Sequence, residues 1–141
     1  MIDYIDSVPE NESVGVCIIL FDKFTNEIYL SKRLSEYENG KYACPGGLVE
    51  VNETWKDAMI RELKEETGMS ISSKDIKQIA IARHIGSKSN YTVWYKYYCN
   101  ANDIPKNCEP TKHEEWCAYT KKDALKLPLM LSTKETIEQF T

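Results

Sequence analysis

Between Gly47 and Met69 the chain runs Gly-Leu-Val-Glu-Val-Asn-Glu-Thr-Trp-Lys-Asp-Ala-Met-Ile-Arg-Glu-Leu-Lys-Glu-Glu-Thr-Gly-Met, and this stretch restricts the fold more than any other. Residues from about Trp55 to Thr67 contain no Gly or Pro and are rich in helix formers. Asn52 and Thr54 are candidate N-caps, Thr54-x-x-Asp57 has the form of a capping box, and Gly68 stands where a helix commonly ends in a left-handed residue. The segment predicts a loop followed by a helix of roughly three to four turns. At about 100° per residue, Trp55, Met59, Ile60 and Leu63 share an arc that can pack inward, and Glu62, Glu65 and Glu66 fall on a neighbouring arc.

Carboxylates at i, i+3 and i+4 repel one another when nothing lies between them. A hard divalent cation such as Mg²⁺ removes that repulsion and prefers oxygen ligands. Arg61 can pair with one carboxylate and orient it, because its planar donors suit bidentate contacts. Upstream, Cys44-Pro45-Gly46-Gly47 combines a fixed proline dihedral with two glycines that permit left-handed backbone and close approach, so a carbonyl here can add a metal oxygen. The bland alternative is a solvated Glu/Lys helix face. The spacing of the whole stretch and the Pro-Gly-Gly loop argue against it.

Gly47, Glu53, Arg61, Glu62, Leu63, Glu65, Glu66, Gly68 and Met69 fill the pattern G-x5-E-x7-R-E-U-x-E-E-x-G-U, where U is bulky and apolar. This resembles the Nudix box of hydrolases that cut diphosphate linkages attached to a nucleoside or similar group. Seven fixed identities arise by composition with a chance of about 10⁻⁸, so the match is specific although it covers only positions 47–69.

The resemblance implies an α/β fold, the Nudix-type α/β/α sandwich with a mixed central sheet, as one domain over residues 1–141. It implies Mg²⁺-dependent hydrolysis, with Mn²⁺ able to substitute, of a nucleoside triphosphate with an ordinary, oxidised or modified base to the monophosphate and pyrophosphate. The metal ligands would be the Gly46 carbonyl, Glu62, Glu65, Glu66 and a distal glutamate. For the last, Glu114 is preferred over Glu115 in the run Glu109-Pro-Thr-Lys-His-Glu-Glu-Trp116, against the alternative of a surface acidic pair. Glu65 or Glu66 would take the water proton, with Arg61 and Glu53 in support; Glu53 equally suits the positive end of the helix dipole. Gly47 and Arg33 would lie on the substrate side, Arg33 against phosphate. Leu131, Ser132 and Thr133 would lie near the base, although Ser132 or Thr133 can simply cap a last helix. Trp94, Tyr95, Tyr97 and Tyr98 read as core before base-stacking rings, and His84 and His113 as ordinary histidines.

Other substrates of the family are ADP-ribose, NDP-sugars, dinucleoside polyphosphates and mRNA caps. Ser70 to Asn90 lacks the proline common in ADP-ribose enzymes, and no basic surface of the cap-hydrolase kind is evident. The intact box speaks against a non-catalytic nucleotide-binding module.

Composition sets further bounds. The 141 residues suit one domain with a real core. A net charge of −4 lacks the basic footprint of a general nucleic-acid binder, so the expected partner is a small nucleotide; a homodimer is compatible with this reading. Five cysteines (Cys17, Cys44, Cys99, Cys108 and Cys117) show no CxxC pair, which disfavours zinc and fits a reduced cytoplasmic setting. Met1 to Glu12 has no apolar signal-like run, and no stretch is long and apolar enough to span a membrane.

Elsewhere the pattern predicts a doubly buried strand over Val14–Phe21, a return strand over Glu27–Ser31 and a short strand over Lys41–Cys44. Two more strands are expected over Ile76–Ile85 and Tyr91–Cys99, the second half-buried and joined to the first by a polar loop around Gly86–Asn90. The last strand is placed over Glu114–Tyr119, a short helix over Lys121–Leu127 stopped by Pro128, and a final helix through Phe140.

Overall fold

The structure, a computed structural model, describes residues 1–86 and 90–141; the loop expected around Gly86–Asn90 therefore lies partly outside the described residues. A long strand, β2 (Ser13–Asp22), forms the middle of the sheet. Its Val-Gly-Val-Cys-Ile-Ile-Leu-Phe run is apolar at every step, which suits a strand covered on both faces. Along one edge it pairs in parallel with β7 (Asn90–Cys99), from Ser13 opposite Asn90 to Asp22 opposite Cys99. The other edge is shared: β3 (Ile28–Lys32) pairs near the end of β2 at Phe21, and β5 (Gly46–Leu48) pairs with Gly15 to Cys17. Beyond β7 lie β6 (Lys77–His84) and β1 (Ile2–Ile5), both antiparallel to their neighbours. Beyond β3 lie β4 (Tyr42–Ala43) and β8 (Cys117–Tyr119). The sheet is mixed, as expected.

Alternation along β2 splits the core in two. Val16, Ile18 and Leu20 join Val93 and Tyr95 beneath Ala58, Met59 and Leu63 of α1 (Trp55–Thr67). Ile19 and Phe21 join Trp94 on the opposite face, beneath Ala124 of α2 (Lys121–Ala124) and Ile137 of α3 (Leu131–Phe140). Helix, sheet and helix thus stack in three layers. In β7 both Val93 and Trp94 are 0% exposed, so the strand is not half-buried as its alternation suggested. It lies inside the sheet with a helix layer on each face, and its exposed positions, Asn90 and Tyr98, fall near its ends.

Helix α1 matches its sequence. Thr54 accepts from the Asp57 N–H at 3.1 Å, and Gly68 takes φ 74° and donates to the Lys64 carbonyl. The other helices are shifted. The chain after Ala124 leaves the α2 helix well before Pro128, and α3 begins at Leu131 with Met130 in the cap position and no side-chain cap bond. Ser132 and Thr133 therefore sit inside the first turn and cap nothing. The last strand is also shorter than expected: His113 bridges Arg33 and Glu114 N–H donates to the Lys32 carbonyl at 2.9 Å, but regular pairing with β3 begins only at Cys117.

Candidate active site

The Pro-Gly-Gly segment is less a loop than a splice between sheet and helix. Pro45 accepts from Ile18 N–H at 3.0 Å, and Gly46–Leu48 then run as β5 against β2. Neither Gly46 nor Gly47 adopts positive φ; their value is close approach. A Cβ on Gly46 would collide with the Val16 carbonyl and with Cys17, and one on Gly47 would overlap the Glu62 carboxylate. Two missing methyl groups thus let the sheet edge lie flat on β2 and let an α1 glutamate fold down against it.

Arg61 fixes that arrangement. Its Nε donates to Glu53 Oε2 at 2.6 Å and its Nη2 to Glu53 Oε1 at 3.0 Å, a two-point pairing. The same Nη2 donates to the Leu48 carbonyl at 3.0 Å, so β5, the box loop and α1 are tied by one guanidinium. Its Nη1 donates to Glu62 Oε1 at 2.8 Å and reaches Glu65 Oε2 at 3.5 Å. Glu53 also accepts the Glu50 N–H at 2.9 Å. These hydrogen bonds, with Arg61 foremost, pull the Glu53 carboxyl down to about 2.

A cleft of about 380 Å³ opens beside this brace. Glu62, Glu65 and Glu66 form one wall, with Gly46 at its foot. Arg33 and Ser35, continuing from β3, form another. A third comes from the connection ahead of β8, where Glu109, Lys112 and Trp116 face in. Glu109 is held by Lys112, whose Nζ donates to its Oε2 at 3.0 Å. His113 pins this connection to β3. Its Nδ1 lies 3.2 Å from Ser31 Oγ and 3.1 Å from the Glu114 carbonyl, to which Ser31 Oγ also donates at 2.5 Å.

The carboxylates are under electrostatic stress. Burial pushes the Glu66 carboxyl well above its ordinary value, and the nearby charges of Glu62 and Glu109 push the same way against Gly46 N–H and Arg33. Its Oε2 accepts the Gly46 N–H at 3.4 Å, a long contact for a buried carboxylate. Burial also raises Glu62, with Arg61 opposing and Glu65 and Glu109 adding to the shift. Among the described residues no acidic, histidine or cysteine side chains are gathered closely enough to hold an ion as they stand. The donor chemistry nonetheless fits a hard divalent cation: carboxylate oxygens, partly desolvated and mutually repelling, in one cleft.

The structure therefore brings Arg33, Gly46, Glu62, Glu65 and Glu66 to one cleft, with Arg61, Glu53 and Gly47 immediately behind. It does not bring Glu114 there. Glu114 lines a separate hollow of about 400 Å³ with Lys32 and Glu115, across β3, and His113 borders both. Leu131, Ser132 and Thr133 line neither hollow; Leu131 is exposed and Thr133 is buried. Trp94 and Tyr95 are core, and Tyr98 stacks on Phe21 at 5.0 Å. Sequence reasoning missed Glu109, Lys112 and Trp116. The acidic-basic run around Glu109 was visible, but periodicity cannot say which of its glutamates a bent connection turns inward. All five cysteines are free thiols, and no helix among the described residues is long and apolar enough to cross a membrane.

Putative nudix hydrolase 1 of Caenorhabditis elegans is 34% identical over 116 residues, which is 78% of this chain and 29% of that protein. An ADP-ribose pyrophosphatase of Methanocaldococcus jannaschii is 50% identical over 44 residues, 31% of this chain and 26% of that protein. An 8-oxo-dGTP diphosphatase of Proteus vulgaris is 35% identical over 54 residues, 38% of this chain and 48% of that protein. The chain thus matches less than half the length of each of these relatives. Among solved structures, the MutT NUDIX hydrolase from Burkholderia pseudomallei aligns with a TM-score of 0.76 and 26% identity, covering 94% of this chain and 100% of that one. The sequence model of the NUDIX domain matches residues 11–140, a span that contains the box, the brace and the whole cleft, and the chain belongs to that family.

Proposed function

We propose that the protein is a pyrophosphohydrolase that converts a nucleoside triphosphate to the monophosphate and pyrophosphate. One observation carries the reading: Glu62, Glu65 and Glu66 line a single cleft together with Arg33, whose positive charge acts on Glu66. That polarity suits a polyphosphate chain held by a cation on one side and an arginine on the other.

Glu62, Glu65, Glu66 and the Gly46 carbonyl would hold Mg²⁺, with Mn²⁺ able to substitute, and Glu109 takes the distal position that sequence reasoning gave to Glu114. When bound, the ion supplies a Lewis acid for phosphate oxygens and lowers the pKa of a coordinated water. Arg61 keeps Glu62 and Glu65 aimed into the cleft, and Glu53 keeps Arg61 in place. Arg33 binds the polyphosphate and offsets its charge. Glu65 or Glu66 accepts the proton of the attacking water. Lys112 holds Glu109 toward the site and reduces the repulsion among the acids. Five reduced thiols suit a cytoplasmic enzyme.

An ADP-ribose reading is favoured by the M. jannaschii relative's name and its 50% identity over 44 residues. A panel of NTPs, dNTPs, oxidised and methylated nucleotides, ADP-ribose and dinucleoside polyphosphates, assayed with Mg²⁺ and read by phosphorus NMR, separates the two. Pyrophosphate release from a triphosphate supports the proposal. Turnover of ADP-ribose alone overturns it.

A further inference from the structure

Arg33 does more than face the cleft. Its Nε donates to the Tyr37 carbonyl at 3.1 Å and its Nη2 to Ser35 Oγ at 3.0 Å, and its guanidinium carbon lies 5.7 Å from the centre of the Tyr37 ring. The loop between β3 and β4 is closed by further bonds: Gly40 N–H donates to the Arg33 carbonyl at 2.9 Å, Asn39 Nδ2 to the Leu34 carbonyl at 2.9 Å, and Lys41 pairs with Glu38 at 2.8 Å. Glu38 and Gly40 take φ of 56° and 84°, so the loop is bent into a defined shape. At its apex stands Tyr37, 69% exposed.

Exposed apolar side chains need no explanation singly, but this one is placed by a cleft residue. Three aromatic rings are exposed among the described residues. Phe24 sits in the β2–β3 turn and Tyr98 already stacks on Phe21. Tyr37 is the one in contact with a side chain that lines the carboxylate cleft. The cleft itself offers a nucleoside little: its α1 wall is anionic, its Arg33 wall is matched to phosphate, and its one indole, Trp116, is buried to 9% exposure beside His113. A planar base attached to a polyphosphate in the cleft therefore has an unused aromatic face within reach on the Arg33 side.

We propose that Tyr37 is a substrate-binding residue that stacks on the nucleobase, with Arg33 coupling the ring's position to the phosphates. The inference rests on the nucleotide substrate argued above. Arg33 links the two: N–H groups not used by Tyr37 and Ser35 are available to phosphate, while its guanidinium carbon lies over the tyrosine ring at 5.7 Å from the ring centre. Stacking tolerates any base, since each has a π-face, so Tyr37 would set affinity for base-bearing substrates without choosing among bases.

The test is direct binding by calorimetry, in Mg²⁺, of an α,β-methylene nucleoside triphosphate and of inorganic tripolyphosphate, to wild type, Tyr37→Ala and Tyr37→Phe. The expected result is about tenfold weaker analogue binding for Tyr37→Ala, binding within about twofold of wild type for Tyr37→Phe, and tripolyphosphate binding unchanged in both. Equal analogue binding by wild type and Tyr37→Ala overturns the proposal. So does a matching loss for tripolyphosphate, which would mean that the loop had collapsed, and so does failure of wild type to bind the analogue. Turnover is read separately: analogue binding that depends on Tyr37 without hydrolysis of any triphosphate would keep this inference and sink the proposed reaction.

Discussion

Gly46 and Gly47 are neighbours in sequence, yet alanine should harm them in different ways. At Gly46 the new Cβ meets backbone: the Val16 carbonyl and the Cys17 Cα, with Cys17 Sγ beside them. Strand β5 is paired to β2 from this point through Leu48, and Pro45 just before it accepts from Ile18 N–H, so neither partner can retreat without loss of those bonds. Overpacking of this kind costs about 1–3 kcal/mol, which for a domain of this size lowers Tm by roughly 3–10 °C. At Gly47 the obstacle is the end of a side chain, the Glu62 carboxylate. Glu62 can swing away by breaking its 2.8 Å contact with Arg61, a partly exposed pair worth about 1 kcal/mol or less. Gly47→Ala should therefore lower Tm by only a few degrees, about 2–4 °C. The functional order reverses. With Glu62 as a proposed metal ligand, moving its carboxylate by about an ångström should cost about 100-fold in rate, so Gly47→Ala should lose about that much kcat/KM while it stays folded. Calorimetric Tm and pyrophosphate release, measured on both variants, decide the matter. A Gly47→Ala enzyme with wild-type kcat/KM, or a Gly46→Ala protein as stable as wild type, would refute the reasoning.

Glu53 ties stability to acid. Its folded-state value of about 2 lies below the ordinary 4.5, so the stabilisation is fully present above about pH 5 and is lost as pH falls toward 2. The gap in denaturant midpoint between wild type and Glu53→Gln should be constant near neutrality and close over that acid window; a gap independent of pH would contradict it. Glu109→Gln should raise the Mg²⁺ concentration needed for half-maximal activity about tenfold, with Glu114→Gln close to wild type. The reverse order in a metal titration of activity would restore Glu114 to the ligand set. Thr54→Ala should cost about 1 kcal/mol through the lost bond to Asp57 N–H, read as a shift in urea midpoint with kcat unchanged.

What could be read from the sequence was what is local. Helix α1 carries its own cap, periodicity and terminator within Thr54–Gly68, so its limits and its acidic arc were legible without knowledge of the rest. Strands β2 and β3 announced themselves as apolar runs on either side of a turn. Strand β5 was hidden because Gly-Gly-Leu has no strand propensity; pairing with β2 makes it one. Strand β1 was hidden in a polar N-terminus, since this four-residue strand is held by its backbone ladder to β6, which leaves no periodic signal in the sequence. The start of α3 was misjudged because Ser132 and Thr133 look like caps, whereas the chain enters the helix directly from the Tyr42–Leu129 bridge. Glu109 could not be distinguished from Glu114, since the difference depends on Ser31 and His113 clasping a bent connection to β3 across some eighty positions of sequence.

On the proposed reading, the α1 carboxylates, which repel one another as they stand, take up a divalent ion. Mn²⁺ titrated into wild type and Glu66→Gln without nucleotide, with free ion followed by electron paramagnetic resonance, reads this out. Wild type should bind, Glu66→Gln should bind about 100-fold more weakly with an unchanged circular dichroism spectrum, and its kcat should fall by several orders of magnitude. Equal Mn²⁺ affinity in the two proteins, or nucleotide hydrolysis that continues at full rate in EDTA, would contradict it.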